Sequence, residues 1–360
     1  MAPPALRPGL LDIAPYVGGE THAPGAERLI RLASNEGAFG PSPKAVAAYR
    51  AAADEMHRYP DGGSRTLVEA LARHHGVDPK LIVCGNGSDE ILHLLALAYA
   101  GPGDEVLYSA HGFLVYPIAA RSVGAVPVAV PERALTADVD ALLAAVTPRT
   151  RILYLANPNN PTGSYLSESE LRRLHAGLPD SVLLVIDAAY AEFADAADYS
   201  AGQEMATGFA NVVMTRTFSK VYALGGLRLG WAVCPPAIAD ALHRIRGPFN
   251  INSAAQAAGV AALDDTVFVG AAVRHNHQAR QWFADRLGAL GLVVHPSQAN
   301  FVLVSFAGWG DPESVRQFLK ARGILVRQMS AYGLPACLRI TIGRSDELSA
   351  VLDALTAYPR

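Results

Sequence analysis

Short apolar runs alternate with helical patterns from about residue 36 to residue 250, and this alternation restricts the possible folds more than any other feature of the chain. The runs lie at residues 81–83, 105–107, 152–155, 182–186, 212–214 and 229–233. Strands that are apolar on both sides are typical of a parallel sheet covered by helices on both faces. The sequence therefore predicts an α/β protein whose large domain, residues 36–250, contains a mostly parallel central sheet flanked by helices.

A different pattern follows the sequence Gly-Pro-Phe-Asn at residues 247–250. A long helical segment, roughly residues 253–290, precedes two strand-like runs at 301–305 and 338–342, with a helix near 312–322 between them. The length of 360 residues also favours two domains over one. We expect a smaller α/β domain formed by residues 251–360 together with residues 1–35.

Composition and charge argue against several classes of function. The net charge is −3 and no basic stripe is present, so nucleic acid is not an expected partner. The most apolar run, residues 91–100, has roughly half the length that a membrane span needs, and the N-terminus lacks a signal-peptide pattern. The three cysteines are far apart, which predicts neither a metal site nor a disulfide framework and is typical of a cytoplasmic protein.

Ligands of parallel sheets bind beyond the carboxyl ends of the strands, and polar residues follow several of the apolar runs. Lys220 comes after the run 212–214, between hydroxyl residues Thr217 and Ser219 and a later Arg228 flanked by small residues. A lysine amine that loses its proton easily can form an imine with an aldehyde, and an arginine can bind a phosphate through two oxygens. A solvated surface lysine is the alternative interpretation.

Asp187 stands at the end of the run 182–186. A carboxylate there is costly to bury unless it has a partner. It could cap a helix, or it could be the counter-ion of a protonated pyridine nitrogen, which makes such a ring an electron sink. Tyr190, three residues later, could then bind the hydroxyl oxygen of the ring.

Two loops complete the set of candidate residues. Residues 157–163, Asn-Pro-Asn-Asn-Pro-Thr-Gly, form either a rigid turn or a source of amide donors for a phenolic oxygen. Residues 85–90, Gly-Asn-Gly-Ser-Asp-Glu, precede an apolar helix, whose N-terminal N–H groups would suit a phosphate. Glu90 stands where a dinucleotide-binding loop has its third glycine, and neither a Walker A motif nor a G-x-S-x-G motif occurs.

Together these segments resemble the fold-type I pyridoxal-phosphate aminotransferases, and the resemblance extends over nearly the whole chain. Further matching segments are residues 31–36, 58–62, 187–190, 216–231 and 338–343. Within the family, the histidinol-phosphate branch is the most similar. The resemblance implies the fold of the type I PLP-dependent transferases, pyridoxal 5′-phosphate as cofactor, and amino transfer between histidinol phosphate and 2-oxoglutarate in histidine biosynthesis.

The resemblance also implies roles for individual residues. Lys220 is similar to the Schiff-base lysine that also shuttles the proton, and Asp187 to the partner of the pyridine nitrogen. Asn160 and Tyr190 match the groups that hold the ring oxygen, and Phe113 matches the aromatic residue stacked on the ring. Ser88, Thr217, Ser219 and Arg228 resemble the phosphate-binding cup, with backbone help near Gly87, and Asp89 is a further expected cofactor-binding residue.

Other matching positions concern the substrate and a second subunit. Tyr59 is similar to a tyrosine that reaches the cofactor phosphate of the other subunit, which implies a homodimer. Arg339 matches the arginine that binds the carboxylate or phosphate of the substrate, although a structural ion pair is the alternative for a strand arginine. Tyr16, Asn35 and Arg327 resemble further contacts to the substrate, a small-molecule amino donor or 2-oxo acid acceptor.

One segment departs from the family pattern. The chain reads Asn35-Glu36-Gly37-Ala38 where many members read Asn-Glu-Asn-Pro. Because that segment lies near the substrate entrance in the family, we expect the difference to affect substrate preference and not cofactor binding.

Three other functions are compatible with parts of the pattern. An aromatic amino-acid aminotransferase would use the same scaffold, as would a decarboxylase of a phosphorylated amino acid such as threonine phosphate. A transcriptional regulator with an aminotransferase-like domain would need an added DNA-binding domain, for which we expect no room in 360 residues.

Overall fold

The computed structural model of the protein describes residues 4–7 and 9–359. The α-helices of this part are α1 (Pro43–Ala51), α2 (Arg65–His75), α3 (Ser88–Tyr99), α4 (Val115–Ser122), α5 (Val139–Ala144), α6 (Glu168–Gly177), α7 (Gln203–Gly208), α8 (Pro236–Ile245), α9 (Ser253–Leu263), α10 (Thr266–Ala289), α11 (Pro312–Lys320) and α12 (Ser345–Thr356). The strands are β1 (Ile30–Arg31), β2 (Ile82–Gly85), β3 (Glu105–Ser109), β4 (Val126–Val130), β5 (Glu132–Arg133), β6 (Thr136–Ala137), β7 (Thr150–Ala156), β8 (Leu183–Asp187), β9 (Val212–Thr217), β10 (Gly230–Val233), β11 (Val293–His295), β12 (Phe301–Ser305), β13 (Ile324–Leu325), β14 (Arg327–Gln328) and β15 (Cys337–Thr341).

The largest sheet has seven strands in the order β2-β10-β9-β8-β7-β3-β4. The pairs from β9 to β4 are parallel, whereas β10 runs antiparallel to both β9 and β2. The predicted mostly parallel sheet is therefore confirmed. The reversed direction of β10 could not be predicted, because an apolar run carries no information about its direction. The edge strand β4 escaped prediction since it contains a proline and is half-exposed, both of which are typical of an edge.

Helices cover both faces of this sheet, as the apolar runs predicted. Alternate side chains of each strand enter different cores: Ile82 and Leu184 pack on the side of α2, α6 and α9, while Val83 and Val185 pack on the side of α3, α4 and α8. Both faces are therefore apolar, and polar residues are left for the ends of the strands.

A second, antiparallel sheet has the order β11-β12-β15-β14 and packs against α10, α11 and α12 around its own core. Strands β12 and β15 and helix α11 correspond to the predicted elements of the small domain. Strand β1 pairs in parallel with β13, which supports the assignment of the N-terminal segment to this domain.

The predicted long helical segment is divided at Asp264 and Asp265 into α9 and α10, which are inclined at 76°. Helix α9 packs against α1 and α2, and its residues Ala255 and Ala258 belong to the core of the large sheet. This packing favours a domain boundary near residues 264–265, whereas a boundary at residue 250 was predicted from the sequence. No single helix in the described residues is long and apolar enough to cross a membrane, and the bent pair α9–α10 meets that test on length and composition only.

Candidate active site

A cavity of about 360 Å³ lies at the edge of the large sheet where the parallel strands end. This volume is in the range of small-molecule sites. All predicted site residues except Gly87 and Tyr59 line it: Tyr16, Asn35, Ser88, Asp89, Phe113, Asn160, Asp187, Tyr190, Thr217, Ser219, Lys220, Arg228, Arg327 and Arg339. The structure thus brings together in one pocket residues that are more than 300 positions apart in the sequence.

The antiparallel direction of β10 explains how Arg228 reaches this edge. Gly230, the first residue of β10, is opposite both Gly85 and Thr217, the last residues of β2 and β9. Arg228, two residues earlier, therefore lies beyond the carboxyl ends of those strands. A side chain at Gly230 would collide with the backbone of Ser88, so only glycine allows this close approach.

Ser88 begins helix α3, whose first backbone N–H groups form a natural anion site. Gly87, directly before it, has φ +82°, and a side chain there would collide with the guanidinium of Arg228. The Arg228 guanidinium also donates to Asp89 at 3.2 Å and to the carbonyl of Gly225 at 3.0 Å. These contacts hold a positive charge beside a helix N-terminus, an arrangement that fits a phosphate.

Asp187 ends β8 and is 5% exposed. The hydroxyl of Tyr116 donates to its Oδ2 at 2.8 Å, and the hydroxyl of Thr215 donates to its Oδ1 at 3.2 Å. Burial raises the pKa of Asp187 to about 6, although these hydrogen bonds act in the opposite direction. At neutral pH the pocket therefore contains a buried carboxylate that a cationic ring nitrogen would neutralise.

Lys220 lines the same pocket as Asp187 and the candidate anion site at Ser88 and Arg228. Its Nζ donates to the carbonyl of Ser34 at 3.1 Å and lies 5.7 Å from the centre of the Tyr190 ring. Burial is the largest cause that lowers the pKa of the amine to about 8, followed by the positive charge of Arg339. A neutral amine is therefore much more accessible at Lys220 than on an exposed lysine, as nucleophilic and proton-transfer roles require.

Asn35 and Tyr190 form a fixed polar wall of the pocket. The side-chain amide of Asn35 donates to the Tyr190 hydroxyl at 2.8 Å, and the backbone N–H of Asn35 donates to Thr341 at 3.0 Å. Asn35 has φ 56°, a left-handed conformation that its neighbours must stabilise. The sequence predicted Asn35 as a substrate contact, which stays a prediction; the structure shows that its side chain orients Tyr190.

Arg339 is 5% exposed and lines the same pocket as Lys220. Its guanidinium donates to the carbonyl of Ala33 at 2.9 Å and to the Asn160 side-chain oxygen, while its Nε has no partner. Among the described residues no carboxylate lies within ion-pair distance of it, so the alternative of a structural ion pair does not hold. A buried, uncompensated positive charge with a spare donor is well suited to an anionic ligand.

Arg327, Tyr16 and Phe113 lie at the mouth of the pocket. Arg327 donates to the carbonyl of Val17, and the rings of Tyr16 and Phe113 meet edge to face at 6.3 Å. A neighbouring cavity of about 610 Å³ shares Tyr16 and Arg327 with the pocket. The second arginine is therefore more accessible than Arg339 and could meet the outer end of a substrate.

Tyr59 does not line the pocket of its own chain. Its side chain is 84% exposed, and its ring is stacked on that of Phe249 at 4.8 Å. Its expected contact with a second subunit stays a prediction.

Tyr116 and Thr215 were not predicted as site residues, although both bind Asp187. Thr215 is opposite Asp187 in the ladder and two residues from Thr217, so the period of a strand indicates that both threonines point to the same face. Tyr116 lies one helical turn after Phe113, and their rings meet at 5.9 Å. Ser34 contacts Lys220 through its backbone carbonyl, and the sequence gives no signal for such a contact because every residue has this group.

The arrangement fits a flat, phosphorylated pyridine aldehyde. The anion site around Ser88 and Arg228, the amine of Lys220 and the buried carboxylate of Asp187 line one pocket, with Phe113 as an aromatic wall. The burial of Asp187 is the observation that tests this fit, since its hydrogen bonds offset only part of the cost of the charge and a bound cation would offset the rest.

Comparison with known proteins adds independent information. The family model "Aminotransferase class I and II" matches residues 27–355. The chain is 67% identical over 356 residues to the histidinol-phosphate aminotransferase of Rhodospirillum centenum, covering 99% of this chain and 98% of that protein. It is 57% identical over 361 residues to that of Paramagnetospirillum magneticum, covering 99% of each. The crystal structure of histidinol-phosphate aminotransferase from Sinorhizobium meliloti in complex with pyridoxal-5′-phosphate matches with a TM-score of 0.90 and 32% identity, covering 98% and 97% of the two chains.

Proposed function

Because this chain belongs to the class I and II aminotransferase family, we propose that it transfers an amino group between histidinol phosphate and 2-oxoglutarate in histidine biosynthesis, with pyridoxal 5′-phosphate as cofactor. The names of relatives at 67% and 57% identity support this substrate. The bound cofactor named for the Sinorhizobium meliloti structure supports the choice of cofactor.

The residues that would hold the cofactor follow from the pocket. Lys220 would bind it covalently, and Asp187 would hold a proton on the ring nitrogen. Asn160 has its amide oxygen engaged by Arg339, which leaves its NH₂ group as a donor for the ring oxygen beside Tyr190. The phosphate would be held by Ser88, Thr217, Ser219 and Arg228, with backbone N–H groups near Gly87 and Asp89 as further donors and the Asp89 carboxylate holding Arg228 in place.

When bound, the cofactor supplies a cationic ring that withdraws electrons from the substrate carbon and carries the amino group between the two substrates. Asp187 would keep the ring nitrogen protonated, because its carboxylate is ionised at neutral pH and its burial strengthens the attraction to a positive charge. Lys220 accepts and returns the proton of the substrate carbon, for which a pKa of about 8 is suitable. The hydrogen bond from Asn35 fixes the Tyr190 hydroxyl in the wall of the same pocket.

The observation that carries the substrate assignment is the buried guanidinium of Arg339, with its unpartnered Nε, in the wall of the pocket. Glutamate and histidinol phosphate must use this pocket in turn, and both bring an anion. A guanidinium can bind either a carboxylate or a phosphate through two oxygens. Arg327 and Tyr16, at the mouth, are placed for the phosphate end of the longer substrate.

The proposed enzyme is a cytoplasmic homodimer in which Tyr59 contributes to the partner's cofactor site. The large exposed fraction of the Tyr59 side chain supports this arrangement, because aromatic side chains with an apolar body are favoured at interfaces. Sedimentation velocity of the cofactor-bound enzyme would test it, and a fully active monomer would contradict it.

The substrate assignment is tested by steady-state kinetics with 2-oxoglutarate as acceptor. Histidinol phosphate should exceed histidinol in kcat/KM by about 10- to 150-fold, as expected when one charge-assisted contact worth roughly 1.5–3 kcal/mol is lost. Histidinol is the matched control because it lacks only the phosphate. A higher kcat/KM for phenylalanine than for histidinol phosphate would instead favour an aromatic amino-acid aminotransferase.

A further inference from the structure

The loop that carries Tyr59 is held in place by Phe249. The two rings stack at 4.8 Å with an interplanar angle of 22°. Phe249 has φ 54°, which is unusual for a bulky residue and persists only when the surroundings stabilise it. Gly62, three residues after Tyr59, faces the same ring, since a side-chain carbon there would lie 3.3 Å from it. The direction of Tyr59 therefore depends on the segment 246–250.

A continuous chain of hydrogen bonds connects this loop to the anion site of the same subunit. Arg246 donates to the carbonyl of Gly62 at 2.7 Å and to the side-chain oxygen of Asn250 at 2.9 Å. The Asn250 amide then donates to Glu90 Oε2 at 2.7 Å. The same carboxylate oxygen accepts the backbone N–H of Asn86 at 2.6 Å.

Asn86 is followed directly by Gly87 and Ser88, the turn that packs against Arg228 and begins α3. Neither Arg246 nor Asn250 lines the pocket. The side chains of Arg246 and Asn250 nevertheless form hydrogen bonds that link the Tyr59 loop to the phosphate-binding turn. A role in the chemistry of their own pocket does not explain these hydrogen bonds.

We propose that Arg246 and Asn250 are positioning residues that couple the two cofactor sites of a dimer. The inference rests on the proposed function, in which Tyr59 reaches the partner's phosphate. A phosphate bound at Ser88 of one subunit stabilises the turn at residues 86–88 further and, through the hydrogen bonds from Glu90 to Asn250 and Arg246, the position of the Tyr59 loop. The second site then receives a more firmly held tyrosine, so its own ligand loses less conformational freedom on binding.

The size of the effect follows from typical coupling between sites. Such coupling changes an affinity by about 5- to 150-fold. For two identical sites, a fivefold increase in the second affinity corresponds to a Hill coefficient of about 1.4. We therefore expect at least this value for the cofactor-free dimer.

The test uses pyridoxamine 5′-phosphate, the amine form of the cofactor, because it carries the phosphate but forms no imine with Lys220. Its binding to the cofactor-free dimer is followed by isothermal titration calorimetry. The wild type should show a Hill coefficient of about 1.4 or more. Asn250→Ala and Arg246→Ala break the chain at different bonds and should both reduce it to about 1. Arg244→Ala, which removes an exposed ion pair with Asp240 on the same helix, should behave as the wild type.

Two sets of results would overturn the proposal. The first is a Hill coefficient of 1 for the wild type. The second is that Asn250→Ala and Arg246→Ala both remain as cooperative as Arg244→Ala. Sedimentation and the histidinol phosphate assay are run on the same preparations. A monomer would refute the proposed dimer and this inference together. A dimer that is active with histidinol phosphate but binds the ligand independently at its two sites would refute this inference alone.

Discussion

Replacing Asp187 with asparagine should make the cofactor-free enzyme more stable while it removes most of its activity. The carboxylate is 5% exposed, and burial is the main cause that raises its pKa from 3.8 to about 6. An amide has almost the same shape and carries no charge; its oxygen can still accept the hydrogen bond from Thr215, and its NH₂ group can donate to the Tyr116 hydroxyl, which now donates to Asp187. The substitution therefore removes the cost of a buried charge and leaves the packing unchanged.

The magnitude follows from the pKa. A tenfold change in proton affinity corresponds to about 1.4 kcal/mol, so a rise from 3.8 to about 6 means that the ionised form costs the fold about 3 kcal/mol. Because the folded state binds this proton more tightly than the unfolded state, the free energy of unfolding falls as pH rises from about 4 to about 6. Above that range the full cost is present. At pH 5 the folded carboxyl is still mostly protonated, and only about half of the cost is present.

The assay is urea unfolding of the cofactor-free wild type and Asp187→Asn, followed by circular dichroism at pH 5 and pH 8. We expect the variant to be more stable by about 3 kcal/mol at pH 8 and by about half as much at pH 5. Asp180→Asn, at an exposed aspartate, is the control and should show no such difference. The reasoning is refuted if Asp187→Asn is less stable than the wild type at pH 8, or if its advantage is the same at both pH values. With cofactor bound, amino transfer should fall by about 100-fold or more, since the ring nitrogen loses its ionic partner.

Three further predictions concern Lys220 and the two substrate arginines. Lys220→Ala should abolish both turnover and the visible absorbance band of the bound cofactor, and a variant that keeps both would exclude this lysine. The pKa of Lys220 is lowered to about 8, so the rate at which the cofactor-free enzyme incorporates pyridoxal phosphate should rise with pH up to about 8 and then level off. Stopped-flow absorbance measures this rate, and a rate that still rises tenfold between pH 8.5 and 9.5 would contradict the prediction. Arg339→Ala should slow the half-reactions of both glutamate and histidinol phosphate by about 10- to 150-fold, whereas Arg327→Ala should slow mainly the latter, as single-turnover kinetics would measure. Equal losses for the two donors in Arg327→Ala would argue against its role at the phosphate.

The sequence alone was sufficient to predict that the candidate site residues following apolar strands lie close together. Lys220, Asp187 and Asn160 each come after a buried run, and the rule that parallel strands present their carboxyl ends at one edge places them together. The membership of the aminotransferase family, stated from these motifs as a resemblance, is confirmed by the family match over residues 27–355.

Contacts that depend on register or on the backbone could not be read from the sequence. Thr215 lies beside Asp187 only because β8 and β9 pair in that register. Lys220 bonds to a carbonyl of Ser34, and Arg339 to a carbonyl of Ala33; main-chain groups of this kind carry no residue-specific signal. The break between α9 and α10 was also missed, because two aspartates between apolar helical segments do not by themselves end a helical pattern.

The antiparallel direction of β10 also has a consequence for the order in which the protein folds. Strands β9 and β10 pair through the short connection 218–229, whereas the parallel pairs of the sheet need long crossovers and β10 meets β2 across most of the large domain. Pairings with little sequence separation form fast, because they close small loops. Lys220 and Arg228 both lie within that connection, so we expect the proposed covalent anchor and the proposed ionic anchor of the cofactor to acquire their spacing from a local hairpin. The helix N-terminus at Ser88 then joins them through the slower, long-range closure of β2 against β10.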